Sequence, residues 1–207
     1  TPAPGVPAKM PFWHGDRPSR PAEVGAAVGA LTREIGQRTP DSARDLLTQI
    51  HHLDALAASN LCDYLAEQRA ATGAVPDDRT IVVERFRDEI GDWRLCILTP
   101  WGAGVHAPWA MAMSRRAAEQ WGIEIDAMWA DDGIVVRLPE SIDDLGPDLW
   151  AIDAADEEEL VLDEVPGTAM FAARFRECAA RALLLPRRRP DRRTPLWQQR
   201  QRAADLL

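Results

Sequence analysis

Five arginines, Arg187, Arg188, Arg189, Arg192 and Arg193, crowd between Pro186 and Thr194, and a helical pattern opens directly behind them at Leu196-Trp197-Gln198-Gln199. A guanidinium offers a planar fork of N–H donors, and the first turn of a helix offers unsatisfied amide N–H groups, so both suit a phosphate. This spacing points to a nucleic-acid backbone, with Trp197 and the Gln198/Gln199 pair placed to touch bases or sugars. The competing reading is a solvated linker that balances acidic residues elsewhere through exposed ion pairs worth about 0–1 kcal/mol each. Thr194-Pro195, read as an N-cap and first helical residue behind the arginines, favours the phosphate reading.

A second group is Phe12-Trp13-His14-Gly15-Asp16-Arg17. A tryptophan in a Gly/Pro-rich extended stretch has little regular structure to hide in, so Trp13 is a candidate stacking platform for a base, with His14 and Arg17 beside it. A structural clamp that holds this segment on the core is an equally good reading of the same residues. Gly102-Ala103-Gly104-Val105-His106-Ala107-Pro108-Trp109 lacks the Gly-Lys-Ser/Thr ending of a nucleotide-binding loop, and His106 is read as a capping or packing residue. Asp131, Asp132, Asp143, Asp144, Asp153, Asp156–Glu159, Asp163 and Glu164 could suggest a metal-dependent nuclease. The spacings of carboxylate metal sites are missing, and no lysine lies near, so a solvated acidic face is the stronger reading.

Charge is segregated along the chain, whose formal net value is −9. Residues 123–166 hold fifteen carboxylates against Arg137 alone, while residues 167–207 hold ten arginines against Glu177, Asp191 and Asp205. A basic tail is thus joined to an acidic body. Lys9 is the single lysine, and with abundant alanine this reads as GC-rich coding, so the position of the arginines carries the argument and their number does not. Cys62, Cys96 and Cys178 are odd in number, far apart and outside any CxxC, which argues against a disulfide framework or a zinc site and suits a reducing cytoplasm. No apolar run approaches the ~18 residues of a membrane span. A start at Thr1 and an end at Leu206-Leu207 inside a helical pattern read as a domain cut from a longer protein.

These groups need a scaffold, and the pattern predicts an α+β one. Residues 1–21, with Pro2, Pro4, Pro7, Pro11, Pro18 and Pro21, form an extended lead-in. A helix is expected from Pro21 to about Arg38. A second, capped by Thr39 with Pro40 in its first turn, is expected to run to about Ala71 with Leu46, Ile50, Leu53, Ala57, Leu61 and Tyr64 as one buried stripe. Strands are expected at Thr80–Phe86 and Trp93–Thr99, the latter central because Leu95–Leu98 is apolar on both faces. A helix over Pro108–Gly122 presents Trp109, Met113, Ala117 and Trp121 on one face. A second hairpin, Ile125–Ala130 with Ile134–Leu138, turns at Asp131-Asp132-Gly133. An acidic stretch with a short helix near Asp156–Val161 follows, then a helix over Gly167–Leu185 with Phe171, Phe175, Cys178, Ala182 and Leu185 as its core and Arg174 and Arg181 on one flank. Trp93, Trp101, Trp109, Trp121, Trp129 and Trp150 read mostly as core. The organisation is therefore a lead-in (1–21), an N-terminal helical pair followed by a hairpin–helix–hairpin unit and C-terminal helices (22–185), and a basic linker entering a further helix (186–207).

Taken in order, Lys9-Met10-Pro11-Phe12-Trp13-His14-Gly15-Asp16, Asp92–Ala103, Val105–Ala110, Ala130–Pro139 and Pro186–Leu207 resemble the DEAD/H-associated accessory region of Lhr-type (large helicase-related) superfamily-2 DNA helicases, in an actinobacterial form. The resemblance spans nearly the whole chain. It implies a parent that hydrolyses ATP with Mg in two upstream RecA-like domains, followed by a winged helix. Such a parent tracks 3′-to-5′ on single-stranded DNA and unwinds duplexes, RNA:DNA hybrids included, in DNA repair. It further implies that this segment, without Walker A or DExH sequences, is inactive as an ATPase by itself, carries no cofactor and helps to enclose the tracking strand. The alternative class is a structural or protein-interaction module with an acidic docking face, and the metal-dependent nuclease stands third.

Overall fold

The computed structural model describes residues 19–140, 142, 146–185 and 194–206. Three helices come first: α1 (Ala22–Gly36), α2 (Pro40–Gln49) and α3 (Ala55–Thr72). Thr39 caps α2 as expected, its hydroxyl accepting from the Ser42 N–H, with Pro40 at the first helical position. The expected single helix from Pro40 to Ala71 is instead broken in two. Asp54 starts α3 by accepting the Ala57 N–H at 2.8 Å, and His52 takes a left-handed φ of 56° just before it. The break rotates the second half against the first. Ala43, Leu47 and Ala58 join Ile35 in the buried cluster, with Leu53, Leu61, Cys62 and Leu65 against it, while Ile50 and Tyr64 of the expected stripe face solvent.

The chain then enters β1 (Val82–Arg87) and β2 (Trp93–Leu98), crosses through α4 (Ala103–Trp121), and returns in β3 (Asp126–Ala130) and β4 (Gly133–Leu138). The sheet is antiparallel in the order β1-β2-β4-β3. β2 is therefore central, as its two-sided apolar character requires. Leu95 and Ile97 of β2 and Ile134, Val136 and Leu138 of β4 share one face, where they bury against Ala110, Met113 and Ala117 of α4. Trp93, Trp109, Trp121 and Trp150 pack around that core, and the Trp109 indole N–H donates to the Trp150 carbonyl at 2.8 Å. Trp129, on the edge strand, is exposed over about two fifths of its surface and is not core.

Beyond the sheet lie two short 3₁₀ turns and the helices α5 (Ala154–Glu164), α6 (Ala169–Arg181) and α7 (Leu196–Ala204). α5 packs along α4, and two α4 arginines reach its carboxylates: Arg115 to Asp163 at 3.4 Å and Arg116 to Asp156 at 3.5 Å. Asp156 and Asp163 stay more than half exposed, so this acidic face is solvated, as expected, with two of its carboxylates paired to α4. In α6 Phe171 and Phe175 stack with centroids 6.0 Å apart, and Ala179 is buried. Cys178 and Ala182, expected in the core, are exposed: α6 ends at Arg181, and its contacts run to α7 and to the 3₁₀ turn before it. The architecture is α+β, with three N-terminal helices where two were expected.

Candidate nucleic-acid interface

The sheet hairpin turn organises the point where the lead-in meets the fold. Asp131 Oδ1 accepts two main-chain N–H groups at 2.9 Å each, one from Ala103 at the start of α4 and one from Arg20. Those donors hold its carboxyl below the usual carboxylate range, outweighing the opposing effect of burial. The Arg20 guanidinium adds bonds to the Pro100 carbonyl at 3.2 Å and to Asp132 at 2.8 Å. Gly102, at φ 92°, lies against the Arg20 carbonyl so closely that any Cβ would collide with it. Residues 19–21 are thereby clamped onto the β3–β4 turn.

This clamp also explains a shifted helix boundary. α4 begins at Ala103, five residues before the expected start at Pro108. Its first turn is capped by a carboxylate 28 residues downstream, so Pro108 falls inside the helix rather than at its first position. His106, in that early turn, is fully buried. Its Nδ1–H donates to the Ala130 carbonyl at 2.6 Å, and its Nε2 accepts the Thr99 hydroxyl at 2.6 Å. It is a packing residue that ties α4 to β2 and β3, as the sequence suggested.

Of the expected nucleic-acid contacts, Trp197 is placed on α7 with two thirds of its surface exposed. Arg200 and Arg202 are exposed on the same helix. α7 is not capped by Thr194: Pro195 holds the cap position with no side-chain bond, and the Thr194 carbonyl accepts from the Gln199 side-chain amide at 2.9 Å. Trp13, His14, Arg17, Arg187, Arg188, Arg189, Arg192 and Arg193 lie outside the described residues. Arg174 and Arg181 both face Glu177, at 3.5 and 3.9 Å, so their shared flank is partly neutralised. Among the described residues no three His, Cys, Asp or Glu side chains converge as metal ligands, and no helix is long and apolar enough to cross a membrane.

One constellation was missed by sequence reading. Arg85 and Arg87 of β1 set their guanidinium carbons 4.7 and 4.2 Å from the centroid of the Trp93 ring. Arg87 and Trp93 are register partners across the hairpin, and Arg85 is the next residue on the same face of β1. The hairpin register was the available signal, and it emerges only once the strand ends are known.

By fold and surface this is an α+β module: a four-stranded antiparallel sheet backed by one crossover helix, flanked by helices on both sides in sequence, with arginine and tryptophan side chains presented outward. The chain belongs to the DEAD/H associated family, whose model matches residues 75–207. It is 56% identical over 207 residues to the Lhr helicase/probable uracil glycosylase of Mycolicibacterium smegmatis and 46% identical over 209 residues to the Lhr helicase/uracil glycosylase of Escherichia coli. All of this chain is matched, yet it spans only 14% and 13% of the length of those curated relatives. A solved structure, the Mycobacterium smegmatis helicase Lhr bound to ssDNA and AMP-PNP, superposes with a TM-score of 0.82 at 54% identity, covering 98% of this chain and 26% of that one. The resemblance to Lhr-type helicases is borne out.

Proposed function

We propose that this chain is the single-strand-binding accessory domain of an ATP-dependent 3′-to-5′ DNA helicase of the Lhr type, one that unwinds DNA and RNA:DNA duplexes in DNA repair in the cytoplasm. The observation that carries this reading is the near-complete superposition on a helicase solved with single-stranded DNA and AMP-PNP. Support also comes from the charge segregation, which sets five clustered arginines next to a helix bearing an exposed tryptophan. In this account Arg187, Arg188, Arg189, Arg192 and Arg193 neutralise phosphates, Trp197 touches the strand beside them, and Trp13 stacks on a base with His14 and Arg17 alongside. Intramolecular RecA-like and winged-helix domains of the parent are the other partners.

In this reading ATP and magnesium are held by other domains of the parent. The glycine turn before α4 is one place where a nucleotide phosphate could meet a helix N-terminus, and there the Ala103 N–H is already taken by the Asp131 carboxylate. Lys9 is the single lysine, and no Gly-Lys-Ser/Thr sequence is present. ATP hydrolysis is assigned to the parent's motor domains, and the domain's own contribution is grip on the strand.

The test is Trp13→Ala in the full-length parent. Loss of a stacking platform lets the motor cycle without a firm hold, so unwinding falls at least tenfold while DNA-stimulated ATPase keeps most of its rate. Trp13→Phe retains much of the unwinding, because a smaller ring still offers a π-face. If Trp13 is instead a buried clamp, its loss costs about 3–5 kcal/mol of stability. Melting temperature, ATPase and unwinding then fall together, and that result would overturn the proposal for this residue.

A further inference from the structure

The edge strand β1 carries an arrangement that the tail and the lead-in do not account for. Arg85 and Arg87 project to the same side of β1, and both guanidiniums rest against Trp93. Two like charges held over one ring repel each other, and such an arrangement persists where anions offset it. Inside the domain the offset is incomplete. Arg87 reaches Glu140, itself largely exposed, at 3.3 Å and donates to the Gly91 carbonyl at 2.8 Å. No carboxylate among the described residues pairs with Arg85. Both arginines are exposed, and among the described residues β1 forms the outer edge of the sheet with no strand beyond it.

We propose that Arg85 and Arg87 form a second nucleic-acid contact on the β1 edge, receiving a phosphodiester of the DNA backbone at a site separate from the basic tail. This inference rests on the reading of the parent as a DNA helicase. Stacking on an indole restrains each guanidinium, so little further ordering entropy is lost when an anion arrives. A phosphate accepts from several N–H groups at once and bridges two guanidinium forks, which a single exposed carboxylate cannot do equally well. Trp93 is the positioning residue. Its Nε1 is buried without a hydrogen-bond partner, and its ring is packed against the core with both guanidiniums beside it, so it orders the arginines and does not itself read a base. The site is therefore blind to sequence.

The experiment uses the full-length parent and two DNAs, a single strand and a duplex carrying a single-stranded 3′ tail, each titrated over a range of salt. Arg85→Ala/Arg87→Ala is expected to weaken binding without regard to sequence and to flatten the salt dependence, by about 0.7 on a single strand or about 0.9 on duplex for each phosphate left without its arginine. Weakening confined to the tailed duplex assigns the phosphate to the duplex arm, and weakening on both DNAs assigns it to the single strand. Arg85→Gln/Arg87→Gln repeats the test with side-chain length kept, in case the alanine pair fails to fold. Unchanged affinity and slope on both DNAs in the folded double variant would overturn the proposal. Failure of the underlying reading looks different: the wild-type parent would itself show no salt-dependent DNA binding.

Discussion

His106 is the residue whose chemistry is most easily mistaken, because an imidazole beside a glycine-rich turn invites a catalytic reading. Buried between Thr99 and the Ala130 carbonyl, it spends both ring nitrogens on the fold. His106→Ala would open a cavity in a buried position, leave the buried Thr99 hydroxyl only the Trp101 N–H at 3.3 Å, and take a donor from the Ala130 carbonyl, at a cost of about 2–5 kcal/mol. The expected outcome is a lower melting temperature and, at temperatures where the variant is still folded, a single-strand affinity within twofold of the wild type. A large drop in affinity in folded protein would instead place His106 in contact with DNA. Arg85 and Arg87 make the opposite case, since as isolated surface arginines they carry no signal in the sequence. They become a candidate site only when the β1–β2 register sets them against Trp93.

At the scale of elements, Asp131 binds the lead-in, the start of α4 and the β3–β4 turn through one oxygen atom. Its carboxyl is held below the ordinary carboxylate range, as are those of Asp78, through its hydrogen bond with Arg33, and of Asp88. For Asp88 burial opposes ionisation, and the Ile90 and Asp92 N–H groups together with Arg94 outweigh it. A depressed folded-state pKa contributes stability that is fully present above the unfolded value near 4 and drains away as pH falls through the folded value. Melting temperature should therefore hold from pH 7 to about 5 and drop steeply below 4. Asp131→Asn keeps an acceptor oxygen for both N–H groups while removing the charge, so it should lower the plateau modestly and soften the acid limb. Asp131→Ala should lower the plateau much further. Identical melting curves for the Asn and Ala variants would contradict the capping account. The sheet could be read from sequence because its signals are local: the two-sided apolar run Leu95–Leu98 and the Asp131-Asp132-Gly133 turn. The start of α4 could not, since its cap comes from Asp131 in another hairpin. The break between α2 and α3 left one trace, an aspartate at position 54, that the apolar spacing across it concealed. The exposure of Cys178 and Ala182 follows from how little of α6 is covered, which its own periodicity does not reveal.

At the scale of the whole molecule, a net charge of −9 would repel a nucleic acid if it were spread evenly. Instead Arg115 and Arg116 pair with part of the acidic stretch, and the C-terminal arginines are segregated from it along the sequence. On the proposed reading, that separation is what lets an acidic domain hold a polyanion. The direct measurement is the salt dependence of single-stranded DNA binding by the full-length parent. It is made with and without alanine at Arg187, Arg188, Arg189, Arg192 and Arg193. Each phosphate neutralised on a single strand contributes about 0.7 to the slope of log affinity against log salt. If all five arginines touch phosphates, the variant should bind more weakly to every sequence, with a slope shallower by roughly 3 to 4. Affinity and slope equal to the wild type would show that these arginines only balance the acidic body, and would contradict the assignment of this domain's basic tail to the strand.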